Sequence, residues 1–220
     1  MNGDSLPVAL ARAGYRAAQS SAVHLSGAVS DAQVAHTLTA SDCAILSEPR
    51  FSEVGAERRG HEVWMVLAAP LAVPNPGTAP AVSREILSLV NAARAGGRRC
   101  GAKYFARAAP LVVNPALTAA ALEHSRDMAQ HAEFDHRGHD GSTPTLRVQR
   151  AGYGRFRIVG ENIAAGATTP MEVTQGWLSS PAHCENIMDP RFSEIGIAYA
   201  VNMASAEAIY WTQDFAAPLR

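Results

Sequence analysis

The chain has 220 residues, of which 47% are hydrophobic and 18% charged, and its formal net charge is −1. That balance supports a globular core and excludes a disordered chain. The lack of a basic excess excludes a general polyanion binder, so no nucleic-acid partner is expected.

The first seventy residues carry a pattern that returns later. Pro49-Arg50-Phe51-Ser52-Glu53 recurs as Pro190-Arg191-Phe192-Ser193-Glu194, and Cys43 aligns with Cys184 at an offset of 141 residues. Ala13-Gly14-Tyr15 recurs as Ala151-Gly152-Tyr153, and Ala68-Ala69-Pro70 as Ala216-Ala217-Pro218. Matches in the same order point to an internal duplication. Residues 1–70 read as a partial, degenerate copy without counterparts of residues 82–138. Val23 to Gly27 stand where a Gly-Glu-Asn-Ile stretch is expected, and Asp42 where His183 is expected. Leu6 to Ala11 is too short for the apolar core of a signal peptide, so self-directed export is not expected. No stretch approaches the ~20 apolar residues of a membrane-spanning helix.

Residues 71–81 hold Pro74, Pro76 and Pro80 and read as an extended linker. A helix is expected from Ser83 to Ala95, on the stripe Ile86, Leu87, Leu89, Val90, with Gly96-Gly97 ending it. Residues 98–113 read as a loop. Asn114 is an N-cap and Pro115 a first helical residue for a helix to His131. On its inner face His124 is expected to be a hydrogen-bonded core histidine. Glu133 to Thr143 reads as a polar loop carrying Asp135, His136, His139 and Asp140. A short helix opened by Pro144 follows, then a short strand over Arg157 to Val159. Helices opened by Pro170 and Pro181 come next, the second carrying His183 in its first turn. Ile195, Ile197, Tyr199 and Val201 alternate in one strand, and Ile209, Trp211, Gln213 and Phe215 in another, which makes a closing hairpin.

Glu161 sits in an apolar run, Val159 to Ala165. Burying an unpaired carboxylate costs several kcal/mol, so it either leaves the apolar layer or finds partners. One reading converges Glu161, His136 and His183 in a cleft. The other makes Glu161 a turn cap and leaves both histidines on the surface. Two imidazoles and a carboxylate form a donor set suited to an open zinc site, and His131, His136 and His139 offer a local variant. Neither a Gly-x-Ser-x-Gly elbow nor a His-Glu-x-x-His helix is present.

Four segments together carry a resemblance: Glu133-Phe134-Asp135-His136, Gly160-Glu161-Asn162-Ile163, Trp177 to His183 and Tyr210 to Phe215. They resemble the motifs of the CAP superfamily of cysteine-rich secretory, antigen 5 and pathogenesis-related proteins, in its bacterial branch, over residues 82–218. The resemblance implies an α+β fold, an α-β-α sandwich with a small antiparallel sheet between helices. It implies a cleft lined by His136, Glu161, Ser180 and His183. Many eukaryotic members have a second glutamate where this chain has Ser180, which weakens a full metal site. The function implied is a non-enzymatic, extracellular or periplasmic binding module for a small apolar ligand or a protein partner. The alternative is a metal-dependent hydrolase using His136, Glu161 and His183, with zinc or calcium as cofactor. Of three cysteines, Cys100 and Cys184 are expected to form a disulfide. Cys43, the repeat equivalent of Cys184, is left over. The partial copy and the odd cysteine together suggest a longer ancestral or parent chain.

Overall fold

The computed structural model describes residues 5–27 and 30–219, which fall into two units, 1–72 and 73–220. In the first unit Pro7 opens α1 (Leu6–Arg12), and Gly14, at φ +80°, turns the chain into β1 (Ala17–Leu25). Ser30 and Gln33 form a reciprocal capping box at the start of α2 (Asp31–Ser41), followed by α3 (Cys43–Leu46). A hairpin through Gly60, at φ +62°, joins β2 (Glu53–Arg59) to β3 (Glu62–Pro70). The antiparallel sheet has the order β1-β3-β2. Its buried apolar set is small: Val23, Val63, Leu67 and Ala68. No residue of α1, α2 or α3 is buried.

The second unit starts its first long helix earlier than the sequence suggests. After a 3-10 turn at Pro76–Thr78, α4 runs Ala79–Ala95 with Pro80 in its first turn. Proline's fixed φ suits that place, where its missing N–H has no intrahelical acceptor. The expected linker therefore gives up its last three residues to the helix. Residues 98–113 are not all loop: β4 (Arg98–Cys100) and β5 (Lys103–Phe105) form a hairpin, and β6 (Val112–Val113) is a two-residue strand. Strands this short, rich in Arg and Lys, have no apolar alternation to reveal them.

Asn114 caps α5 (Pro115–His131), accepting from the amides of Ala116 and Leu117, and Thr143 caps α6 (Pro144–Arg150). β7 covers Phe156–Ala165, longer than expected, so the Glu161 stretch is itself strand. α7 (Pro170–Ser179), α8 (Pro181–Met188), β8 (Glu194–Asn202) and β9 (Ala208–Pro218) complete the unit. The sheet order is β6-β8-β9-β7, parallel only between β6 and β8.

Strand alternation divides this sheet's side chains between two helical layers. On one face Ile195, Ile197, Tyr199, Trp211 and Phe215 pack with Ile86 and Val90 of α4, Trp177 of α7 and Ile187 of α8. On the other, Leu117 and Ala120 of α5 meet Val148, Tyr153 and Ala216, while Met128 meets Ile163 and Tyr210. This is an α-β-α sandwich. α5 approaches so closely that a Cβ on Gly196 would lie 2.0 Å from the Leu117 carbonyl carbon. Buried Arg94 fastens α4 to the segment after α8, donating to the carbonyls of Ala109, Ile187, Asp189 and Phe192. Cys100 and Cys184 are bridged, with Cα atoms 5.4 Å apart, and Cys43 is free and exposed.

Candidate functional site

The site forms where the edge strand β7 meets the loop after α5. α5 ends at Ala132, whose left-handed φ of +53° turns the chain out of the helix. The loop is held by its own acids. Asp127 accepts from the His139 amide at 2.8 Å and Asp135 from the Arg137 amide at 2.7 Å. These bonds deliver His136 to β7, where its Nδ1 lies 2.7 Å from Glu161 Oε1.

Glu161 has the stronger partner on its other oxygen. Arg147 Nη2 donates to Oε2 at 2.6 Å, and the two side chains are only 1% and 2% exposed. Arg147 also donates to the backbone carbonyls of His136 and Ser142. One guanidinium thus pairs the buried acid and pins both ends of the histidine loop, a use of its forked donors that lysine cannot match. Asp214 faces Glu161 across the β7–β9 ladder. Its carboxylate is buried, and among the described residues neither oxygen has a hydrogen-bond partner. Burial first, then the nearby Glu161 charge, pushes its pKa well above the usual carboxylate range.

The histidines divide by environment. The bond to Glu161 raises the pKa of His136 against an opposing effect of burial. His124 is fully buried with Nε2 3.8 Å from Glu161 Oε1, and burial lowers its pKa. It is a core histidine as expected, but neither ring nitrogen has a hydrogen-bond partner among the described residues. Its Nε2 lies too far from Glu161 Oε1 for a hydrogen bond. His183 is placed from the opposite face of β7. Asn162, next to Glu161 and so pointing the other way, donates from Nδ2 to the His183 carbonyl at 3.1 Å. Its Oδ1 accepts from Asn186 at 2.9 Å. Burial, then the charge of His136, lowers the pKa of His183. The structure therefore bonds His136 to Glu161 and brings His183 within electrostatic range of His136. Among the described residues no hydrogen bond joins the His183 ring to either.

Ser180 and His183 border a groove of about 620 Å³. Phe134, Ile163, Val173 and Trp177 give it apolar walls, and Glu172 and Glu207 lie at its polar margin. Ser180 is the residue before α8, and its hydroxyl makes no capping bond. The alternative histidine cluster is not assembled as a donor set. His131 and His139 stack at 3.8 Å between ring centroids, while His136 turns to Glu161. Among the described residues no group of three or more His, Cys, Asp or Glu is arranged to hold a metal ion. The donor chemistry agrees, because both Glu161 oxygens are engaged and Nδ1 of His136 is one of the partners. The zinc or calcium site anticipated from His136, Glu161 and His183 does not fit this arrangement.

Sequence reasoning missed Arg147 and Asp214. Asp214 lies in a segment already singled out, one residue before Phe215, in a strand that the structure buries along nearly its whole length. Arg147 sits between Leu146 and Val148 in a short helix, and its sequence surroundings do not set it apart.

A small sheet between helical layers, with a histidine–glutamate pair at its edge strand, defines the class of fold as an α-β-α sandwich. Residues 87–215 match the CAP family, described as the cysteine-rich secretory protein family, and the chain belongs to it. It is 31% identical over 140 residues to the uncharacterized protein YkwD of Bacillus subtilis (strain 168), a match covering 64% of this chain and 49% of that protein. The chain thus spans about half the length of this relative. In fold it is similar to an extracellular protein containing an SCP domain from Bacillus anthracis str. Ames. That likeness has a TM-score of 0.53 and 19% identity and covers 79% of this chain and 70% of that one. An outer surface protein of Borrelia burgdorferi is similar over 64% of this chain and 92% of its own, at 20% identity and a TM-score of 0.49. Among the described residues no helix is long and apolar enough to cross a membrane.

Proposed function

We propose that residues 73–220 form a non-enzymatic binding module that works outside the cytoplasm and takes a small apolar ligand or an apolar segment of a protein partner in the groove beside His183. The observation that carries this reading is the state of Glu161. Its carboxylate is shared between Arg147 and His136, so it is neither a free base nor an open metal ligand. What remains open is an apolar groove with Phe134 exposed at its lip, the kind of surface that binds by burial of area. The Cys100–Cys184 bridge supports an oxidising compartment, as does the extracellular description of the similar Bacillus anthracis protein. Residues 1–70 are on this proposal a degenerate partial copy of the same domain.

The metal-dependent hydrolase has less support, because it requires Glu161 to leave a buried ion pair. The test is calorimetry on the full chain. An environment-sensitive apolar dye should bind and be weakened by Gly176→Trp, which fills the groove, while zinc should give no saturable heat. Saturable zinc binding lost in both His136→Ala and His183→Ala would favour the hydrolase instead.

A further inference from the structure

The first unit repeats the second in its order of elements. α1, β1, α2, α3, β2 and β3 follow the sequence of α6, β7, α7, α8, β8 and β9, and the sheet orders β1-β3-β2 and β7-β9-β8 agree. The registers agree as well. Glu53 pairs with Ala68 as Glu194 does with Ala216, and Gly55 pairs with Val66 as Gly196 does with Asp214. The same register sets Ala22 against Val66 as Glu161 against Asp214. Ser21 to His24, rather than Val23 to Gly27, therefore occupy the Gly-Glu-Asn-Ile place.

In the second unit the sheet face bearing Glu194 and Gly196 is covered by α5. Leu117 and Ala120 seat against Val148, Tyr153 and Ala216. The Asn114 amide donates to Glu194 at 3.2 Å, and Tyr153 donates to the same carboxylate oxygen. β6 adds a short parallel strand along the outer edge of β8. The first unit keeps the receiving half of this arrangement. Leu10, Tyr15 and Ala68 stand where Val148, Tyr153 and Ala216 stand. Tyr15 donates to Glu53 at 2.7 Å. Leu10, Tyr15, Gly55, Val66 and Ala68 line an open groove of about 260 Å³. A Cβ on Gly55 would meet nothing within 4 Å, where the equivalent on Gly196 would strike α5. β2 is the outer strand of its sheet and is exposed along its whole length. The face is also apolar where the second unit is charged, because Ala9, Ala22 and Val66 replace Arg147, Glu161 and Asp214.

We infer that this groove is a docking site for a strand–helix segment of another polypeptide with the chemistry of β6 and α5. The inference rests on the structural correspondence of the two units and not on the ligand proposed for the second. The occupant has two residues of extended backbone to pair with the edge of β2, and an amide side chain at the helix N-cap to donate to Glu53. A leucine at the third helical position and an alanine three residues later fill the space above Val66 and Ala68. Gly55 admits the helix backbone, as Gly196 does for α5.

The probe is a synthetic peptide of residues 110–131, stapled between positions 119 and 123, both exposed on α5, so that it is helical before it binds. Titrated into the full chain, it should bind saturably. Gly55→Val, which fits an exposed strand and meets no atom in the free unit, should weaken binding by about tenfold or more. A peptide carrying Leu117→Asp should lose binding to the same degree. No saturable binding, or binding that Gly55→Val leaves unchanged, overturns the inference. Binding that tolerates the Leu117→Asp peptide also overturns it, because the helix face would then be wrong. A concentration-dependent dimer of the full chain that Gly55→Val abolishes would make a second copy the occupant and overturn the choice of partner.

Discussion

Replacing Arg147 with methionine removes the cation that makes burial of Glu161 tolerable. The two side chains are 1% and 2% exposed, so water cannot replace the lost partner. Breaking a buried pair by deleting one member costs about 3–5 kcal/mol, since the remaining charge is uncompensated. His136 offsets part of this through its bond to Oε1. The same substitution also strands the His136 and Ser142 carbonyls that the guanidinium served. For a unit of this size each kcal/mol lowers Tm by about 2–4 °C, which gives a drop of about 6–20 °C at neutral pH. Circular dichroism melts of the full chain, followed at several pH values, would measure it. Adding Glu161→Gln to Arg147→Met should recover part of the loss. A Tm change worth less than about 1 kcal/mol would place the pair with ordinary surface ion pairs and refute the reasoning.

His136 and His183 should titrate on opposite sides of 6.5 in NMR, His136 above and His183 below. The raised pKa of His136 makes its contribution to stability complete below 6.5 and lost as pH rises through its folded value. The depressed pKa of His183 makes its contribution present above 6.5 and lost as pH falls through its folded value. Glu161→Gln should bring the His136 value down, and an unchanged value would remove Glu161 as its cause. Reducing the Cys100–Cys184 bridge, whose ends are 84 positions apart in sequence, should destabilise the second unit by up to about 4–5 kcal/mol on the chain-entropy account. A denaturation midpoint insensitive to reductant would contradict this. Residues 73–220 alone should unfold cooperatively and at higher temperature than residues 82–218, which lack the first turn of α4 and the Asn75 carbonyl that accepts from Tyr199. Residues 1–72 alone should not unfold cooperatively.

Legibility in the sequence followed the length scale of each signal. Asn114-Pro115, Thr169-Pro170 and Ser180-Pro181 marked helix starts because capping is local and proline is unambiguous at a first turn. The closing hairpin was legible because Ile195 to Val201 and Ile209 to Phe215 alternate against one helical layer. β7 was half missed: the strand was expected only over Arg157 to Val159, because Gly160, Glu161 and Asn162 interrupt the apolar run that continues it. The glycine has a packing reason: a Cβ there would lie 2.7 Å from the Phe192 ring. The charged and amide residues belong to opposite faces, Glu161 toward Arg147 and Asn162 toward α8. Pairing Glu161 with His136 was legible because an acid in an apolar strand needs a partner. Assigning it Arg147 was not, because that contact depends on how α6 packs against β7.

On the proposed reading of residues 1–70 as a degenerate copy, the exchange of Arg147, Glu161 and Asp214 for Ala9, Ala22 and Val66 argues for how the cluster works. Losing Arg147 alone would strand Glu161. Losing Glu161 alone would leave a buried guanidinium with only neutral partners, two carbonyls and the Ser142 hydroxyl. Removing all the charges together leaves an apolar patch, which is near neutral or favourable in free energy. The first unit takes that course, and Asp42 also stands there in place of His183. A fold that can be built without the charged set does not need it for its topology, because both sheets have the same order and register. The charges in the second unit therefore answer to the loop they hold, in which Arg147 fixes the carbonyls of His136 and Ser142 and Glu161 fixes the imidazole. On that reading the reason for the cluster lies in the position it gives His136, whose charge reaches His183 at the border of the groove.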